Sequence, residues 1–115
     1  MSYEVSMFAV IFEVHPKTKL AAQDYFNLAA ELRTELEGIE GFISVERFSS
    51  LSDKEKYLSI SLWRDEESLK KWREHNEHLE AQQKGRGEIF EDYRILVAKV
   101  IRDYGITNRK EAPQQ

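Results

Sequence analysis

Six blocks of patterned hydrophobicity run along the chain, and each predicts an element. Val5 to Val14 is dense in β-branched and aromatic residues and reads as a strand, ended by His15-Pro16. Thr18 is placed to cap a helix on which Leu20, Tyr25, Leu28, Ala29, Leu32, Leu36 and Ile39 form one apolar stripe, with Gly38 and Gly41 as stop signals. Phe42 to Ser50 alternates loosely and reads as a second strand, followed by a polar turn from Leu51 to Glu55. Tyr57 to Trp63 alternates cleanly, with Leu58, Ile60 and Leu62 on one face and Tyr57, Ser59, Ser61 and Trp63 on the other, which suggests a hairpin with the second strand. Asp65 is a good cap for a second helix whose inner face carries Leu69 and Trp72. The His75-Asn76 step predicts an interruption, with Asn76 capping a new start, before the pattern resumes through Leu79 and ends near Gly85 or Gly87. Tyr93 to Arg102 is the last strand. The chain from Gly105 is polar, contains Pro113 and reads as a mobile tail, so the expected division is a domain at 1–105 and a tail at 106–115.

The order β-α-β-β-α-β is that of the ferredoxin-like α+β fold: a four-stranded antiparallel sheet with both helices on one face. The other face then has no cover. Phe8, Val10, Phe12 and Val14 take one face of the first strand, yet Met7, Ala9 and Ile11 make the opposite face apolar as well. In the last strand Ile95, Val97 and Ile101 oppose Leu96, Ala98 and Val100 in the same way. Leaving such a face in water would expose on the order of several hundred Å² and cost on the order of 10 kcal/mol, comparable with the whole stability of a domain this size. Pairing of two sheets in a homodimer removes that cost.

Composition narrows the chemistry. The 115 residues suit one domain, with 41% hydrophobic and 33% charged residues. The formal net charge of −4 gives no reason to expect nucleic-acid binding. Lys70, Lys71, Arg73, Lys84 and Arg86 are interleaved with Glu66, Glu67, Glu74, Glu77 and Glu80, the pattern of a solvated helix face. With no cysteine, disulfides, thiolate chemistry and cysteine-ligated metals are excluded, and a reducing cytoplasm fits. No signal peptide is visible, and the apolar run Met7 to Phe12 is too short to span a bilayer. Phosphate loops, dinucleotide fingerprints and nucleophile elbows are missing.

Several stretches together resemble the antibiotic biosynthesis monooxygenase (ABM) domains of the dimeric α+β barrel superfamily. They are Phe8 to Val14, Gly41-Phe42 before Val45-Glu46, Leu62 to Leu69, Trp72 to His75, His78, Ala81-Gln82, Gly85-Arg86, Tyr93-Arg94, and Arg102 to Gly105. The resemblance covers roughly residues 3–105. It implies a homodimer through the open sheet face and, in each subunit, a pocket between the sheet and the second helix. It also implies relatives that form quinones without a cofactor and relatives that degrade haem. In the haem-degrading branch the helix tryptophan, matched by Trp72, is followed ten residues later by an iron-ligating histidine, but Gln82 stands there. The asparagine that branch carries in its first strand is also missing from Val5 to Val14. No cofactor is therefore expected, with haem held by His78 as the remaining cofactor reading.

The candidate site follows from these residues. His75 and His78, three apart, share a helix face; a neutral imidazole suits proton abstraction from a phenol or enol, whereas a third metal ligand is missing. Arg86 is placed to stabilise an enolate or a superoxide-like anion, its plainer role being contact with the helix C-terminus. Trp72 and Gln82 are expected at the pocket wall; Trp63 is expected either there or in the core. Tyr57, Ser59 and Ser61 form a polar stripe, assigned preferentially to the dimer interface and otherwise to the pocket floor. The leading expectation is a small monooxygenase acting on a planar aromatic or enolisable substrate. Its rivals are a non-enzymatic dimer that binds a small hydrophobic ligand, or acts in stress response, and a haem-binding or haem-degrading protein.

Overall fold

In the computed structural model, residues 7–82 and 90–113 are described, with side chains described except at 76–82 and 90. The elements are β1 (Phe8–Pro16), α1 (Lys19–Glu37), β2 (Phe42–Ser49), β3 (Tyr57–Trp63), α2 (Glu66–Gln82) and β4 (Phe90–Lys99). All pairings are antiparallel, in the strand order β2-β3-β1-β4. This is the ferredoxin-like α+β fold expected from the hydrophobic pattern.

Local chemistry sets the element ends. Thr18 is extended and its hydroxyl accepts the Ala21 N–H at 3.0 Å, capping α1. Asp65 Oδ1 accepts both the Ser68 N–H at 2.8 Å and the Ser68 hydroxyl at 2.6 Å, capping α2. Between α1 and β2 the chain reverses at Gly41, the one residue described at positive φ, 93°. Its carbonyl accepts the Arg64 N–H at 2.7 Å, and a Cβ there would stand 1.8 Å from Ser68 Oγ. The glycine lets the α1–β2 turn lie directly on the first turn of α2.

The core lies where Val10, Leu36, Trp63 and Leu69 meet, with Phe8, Ile39, Phe42, Val45 and Trp72 packed around them. α1 buries Ala21, Tyr25, Ala29 and Leu36, whereas Leu20, expected in the stripe, is exposed. The buried set starts at Ala21 because 21, 25 and 29 repeat every fourth residue, and 20 falls outside that line.

Other boundaries depart from the expectation. β1 is described from Phe8 and runs on through Pro16, with a register shift at His15/Pro16. β4 lies three residues earlier than expected at both ends. α2 is continuous across His75-Asn76, correcting the expected break: neither residue is a helix breaker, and asparagine costs only a few tenths of a kcal/mol in a helix interior. Residues 105–112 form a loop with its own bonds, Gly105 N–H to the Asn108 carbonyl at 2.8 Å and Ala112 N–H to the Arg109 carbonyl at 3.1 Å.

Candidate active site

Residues opposite one another in a sheet share a face, so the register fixes what lies under the helices. On the helix side one row reads Phe42, Trp63, Phe8; the next Val45, Ser61, Val10, Val97; the next Arg47, Ser59, Phe12, Ile95; the last Ser49, Tyr57, Val14, Tyr93. Leu58, Ile60 and Leu62 face the other way, with Ala9, Ile11 and Leu96. The polar stripe Tyr57-Ser59-Ser61 is therefore on the helix side. Its preferred assignment to the dimer interface is corrected, because the aliphatic set of β3, and not the stripe, makes the open face.

Two aromatic groups occupy the helix side. At one end Trp63 has no exposed surface; its indole N–H donates to the Ser61 hydroxyl at 2.9 Å. Phe42 meets it edge-on at 5.4 Å, and Trp72 of α2 lies tilted at 5.7 Å. Trp63 is thus core, while Trp72 packs against it and is only partly buried. At the other end Tyr57 stands edge-on to Phe26 of α1 at 4.9 Å, and Phe12 contacts Tyr25 at 6.4 Å and Tyr93 at 5.9 Å. Six residues of strand, about 20 Å, separate Tyr57 from Trp63, so the two candidates do not share one contact set. Phe12, Tyr25 and Tyr93 were read from the sequence as strand and helix positions and not as site candidates; the alternation of β1 and the helical spacing of Tyr25 were the available signals.

His75 is exposed, and its Nε2 donates to Glu35 Oε2 at 3.0 Å, tying α2 to the end of α1. With Nε2 so engaged, Nδ1 is the nitrogen left to accept a proton. His78 and Gln82 lie on α2 but their side chains are outside the described residues, and Arg86 is outside them altogether. No cluster of three or more His, Cys, Asp or Glu residues suited to a metal occurs among the described residues.

The displaced carboxylates lie elsewhere and serve structure. The Ser68 hydroxyl and amide, with Arg64 beside them, bring Asp65 down from 3.8 to about 2. Glu13 on the open face is held below the ordinary carboxylate range by Arg94, at 2.8 Å, aided by Lys56. Asp53 is lowered chiefly by the His15 imidazole at 2.9 Å.

Residues 7–84 match the family model for antibiotic biosynthesis monooxygenases. The chain belongs to that family. A protein of Pyricularia oryzae named jasmonate monooxygenase ABM is 47% identical over 94 residues, which is 82% of this chain and 43% of that protein. An uncharacterised Bacillus subtilis protein, YqjZ, is 36% identical over 62 residues, 54% of this chain and 53% of that protein. The chain thus spans about half the length of the curated relatives it matches. Among solved structures, SnoaB, a cofactor-independent oxygenase from Streptomyces nogalater, superposes on this ABM domain with a TM-score of 0.70 at 10% identity, covering 84% of this chain and 95% of SnoaB. At that identity the likeness is one of fold. No helix among the described residues of this ABM domain is long and apolar enough to cross a membrane.

Proposed function

We propose that the protein is a homodimeric cytoplasmic monooxygenase that oxidises an enolisable or planar aromatic substrate without metal or flavin. The observation that carries the reading is a half-buried indole, Trp72, on the helix side of an ABM sheet, backed by a fully buried one, Trp63. A rigid aromatic wall suits a flat ligand and keeps water from it. Family membership and the relative named jasmonate monooxygenase support the monooxygenase part of this reading.

In this mechanism an α2 imidazole removes the acidic proton of the substrate. His75 has its Nε2–H on Glu35, an arrangement that orients the ring, as in other carboxylate–histidine pairs. His78, one turn further on, is the second candidate base. Trp72 stacks on the carbanion or phenolate, Gln82 contributes a polar contact, and Arg86 stabilises the anion, whereas Tyr57, at the far end of β3, takes no part. The anion passes one electron to O₂, the radical pair recombines as a peroxide, and loss of water leaves a carbonyl. For an activated methylene the sum is R₂CH₂ + O₂ → R₂C=O + H₂O, which balances without an external reductant.

Oxygen uptake with a panel of anthrones and hydroquinones tests this directly. Turnover by the wild type, a large loss in His75→Ala or His78→Ala, and a raised KM in Trp72→Ala are expected. Ligand-induced thermal stabilisation with no uptake across the panel would favour a binding module instead.

A further inference from the structure

Arg47 stands on the helix side of β2, opposite Ser59 and in one row with Phe12 and Ile95. It is partly buried, whereas every other described arginine is exposed. Its Nε is sealed from water and has no hydrogen-bond partner. No carboxylate among the described residues pairs with it, although Arg33, Arg64 and Arg94 each hold one. Glu46, next to it in the chain, lies on the opposite face of the sheet.

Such a placement is costly. A guanidinium keeps its charge, and drawing it partly out of water with no counter-charge leaves an unpaired donor in the layer between sheet and helices. An arginine that merely covers apolar surface with its stem keeps its whole head in water. Here the root of the head, Nε, is held in, and only the two outer nitrogens stay open. Those nitrogens form a planar fork that matches the two oxygens of a carboxylate. The neighbouring polar groups suit the same ligand. Ser59 lies half-buried across the ladder, and the Ser61 hydroxyl, which accepts the Trp63 N–H at 2.9 Å, still has its own proton to donate. One cation, with no other charge in its row, balances a singly charged carboxylate better than a doubly charged phosphate. The row lies four residues along β3 from Trp63, about 13 Å, within the length of a substituted polycyclic ring system.

We propose that Arg47, with Ser59 beside it, is an anion subsite on the helix side of the sheet, and that the substrate is an acid: a planar or enolisable ring system with a carboxylate on the end away from Trp72. The inference rests on the pocket of the preceding section and names the substrate class it takes. Arg47 holds and orients the ligand and takes no part in proton or electron transfer. Because the net charge of the chain is −4, an anion has no general reason to bind, and a preference for an acid over a neutral ligand reports a local cation.

The test uses the full chain and two ligands that lack an oxidisable C–H, anthraquinone carboxylate and its methyl ester. Calorimetric titration of the wild type should show the acid binding about ten-fold more tightly than the ester, the ratio expected of a charge-assisted pair. In Arg47→Gln that ratio should fall to about one, and in Arg47→Lys, which keeps the charge and loses the fork, it should lie between. The Arg47 Nε–H resonance of the wild type should move on adding the acid and stay in place with the ester, a readout that needs no variant to fold. A wild-type ratio of one, a ratio that survives Arg47→Gln, or a ratio lost in Arg86→Gln instead would overturn the proposal. Oxygen uptake separates it from the reading on which it rests. Uptake with neutral substrates and a ratio of one removes the subsite alone. An acid preference that depends on Arg47, with no uptake from acidic or neutral hydroquinones, keeps the subsite and removes the monooxygenase. Binding of neither ligand removes the pocket and the subsite together.

Discussion

Two residues of one type, Trp63 and Trp72, have different work, and the sequence separates them only in part. Both stand in apolar patterns, and the alternation of Tyr57 to Trp63 does not say which face is covered. Burial decides: Trp63 is sealed by Phe42, Ser61 and Trp72, while Trp72 keeps open surface. With only two tryptophans, Trp63→Phe and Trp72→Phe each leave a single fluorophore. Acrylamide should quench the emission of Trp72 and leave that of Trp63 nearly untouched. Trp63→Ala should cost about 3–5 kcal/mol in urea unfolding, and Trp72→Ala clearly less. Gly41 is the second case. As a stop signal it was legible, but the reason for it was not, since the approach of Ser68 is a tertiary contact. Gly41→Ala meets both a positive φ and a Cβ placed 1.8 Å from Ser68 Oγ. A loss of about 2–3 kcal/mol, read as a lower urea midpoint with unchanged slope, is expected from the backbone strain before any clash.

At the scale of elements, periodicity was most informative where one face is polar and the other apolar. β3 was read with its ends intact because it alternates cleanly, and α1 because Thr18 and Gly38 bracket its stripe. β4 is apolar on both faces, so nothing in its pattern marks an end, and the shift of three residues follows from that. The break expected in α2 came from weighing Asn76 as a cap, when a helix is interrupted only if a competing partner is supplied. The start of α2 carries the pH dependence. Asp65, brought down to about 2, together with the lowered Glu13 and Asp53, binds protons more weakly in the folded chain than in the unfolded one. Their stabilisation is therefore complete above the ordinary carboxylate values near 4 and fades as pH falls from about 4 toward 2. Thermal scans should show Tm falling across that window, and Asp65→Asn, which keeps an acceptor for Ser68 but cannot ionise, should flatten part of the fall.

At the scale of the whole molecule, the two-sided apolarity of the sheet was the most legible feature, because it needs only the parity of β1 and β4. What parity could not supply is where the charge on that face sits. Glu13 is enclosed by Arg94 at 2.8 Å and Lys56 at 3.6 Å, and Glu46 on β2 stands opposite Ile60, so the apolar middle of the open face is bordered by charge at one end and along the β2 edge. Ile11 lies in the middle, between Ile60 on β3 and Leu96 on β4. Ile11→Lys puts an ammonium there. In a lone subunit the side chain reaches water at little cost, but between two stacked sheets it is buried twice, once from each copy, with no counter-ion beside it, since Glu13 is already engaged and Glu46 stands two strands away. The variant should keep its circular dichroism and run in light scattering at the 13.6 kDa chain mass, where the proposed wild-type homodimer should run at twice that value. An Ile11→Lys protein that stays at the doubled mass would mean that the copies meet through another surface and that the apolar face of this sheet is covered in a different way.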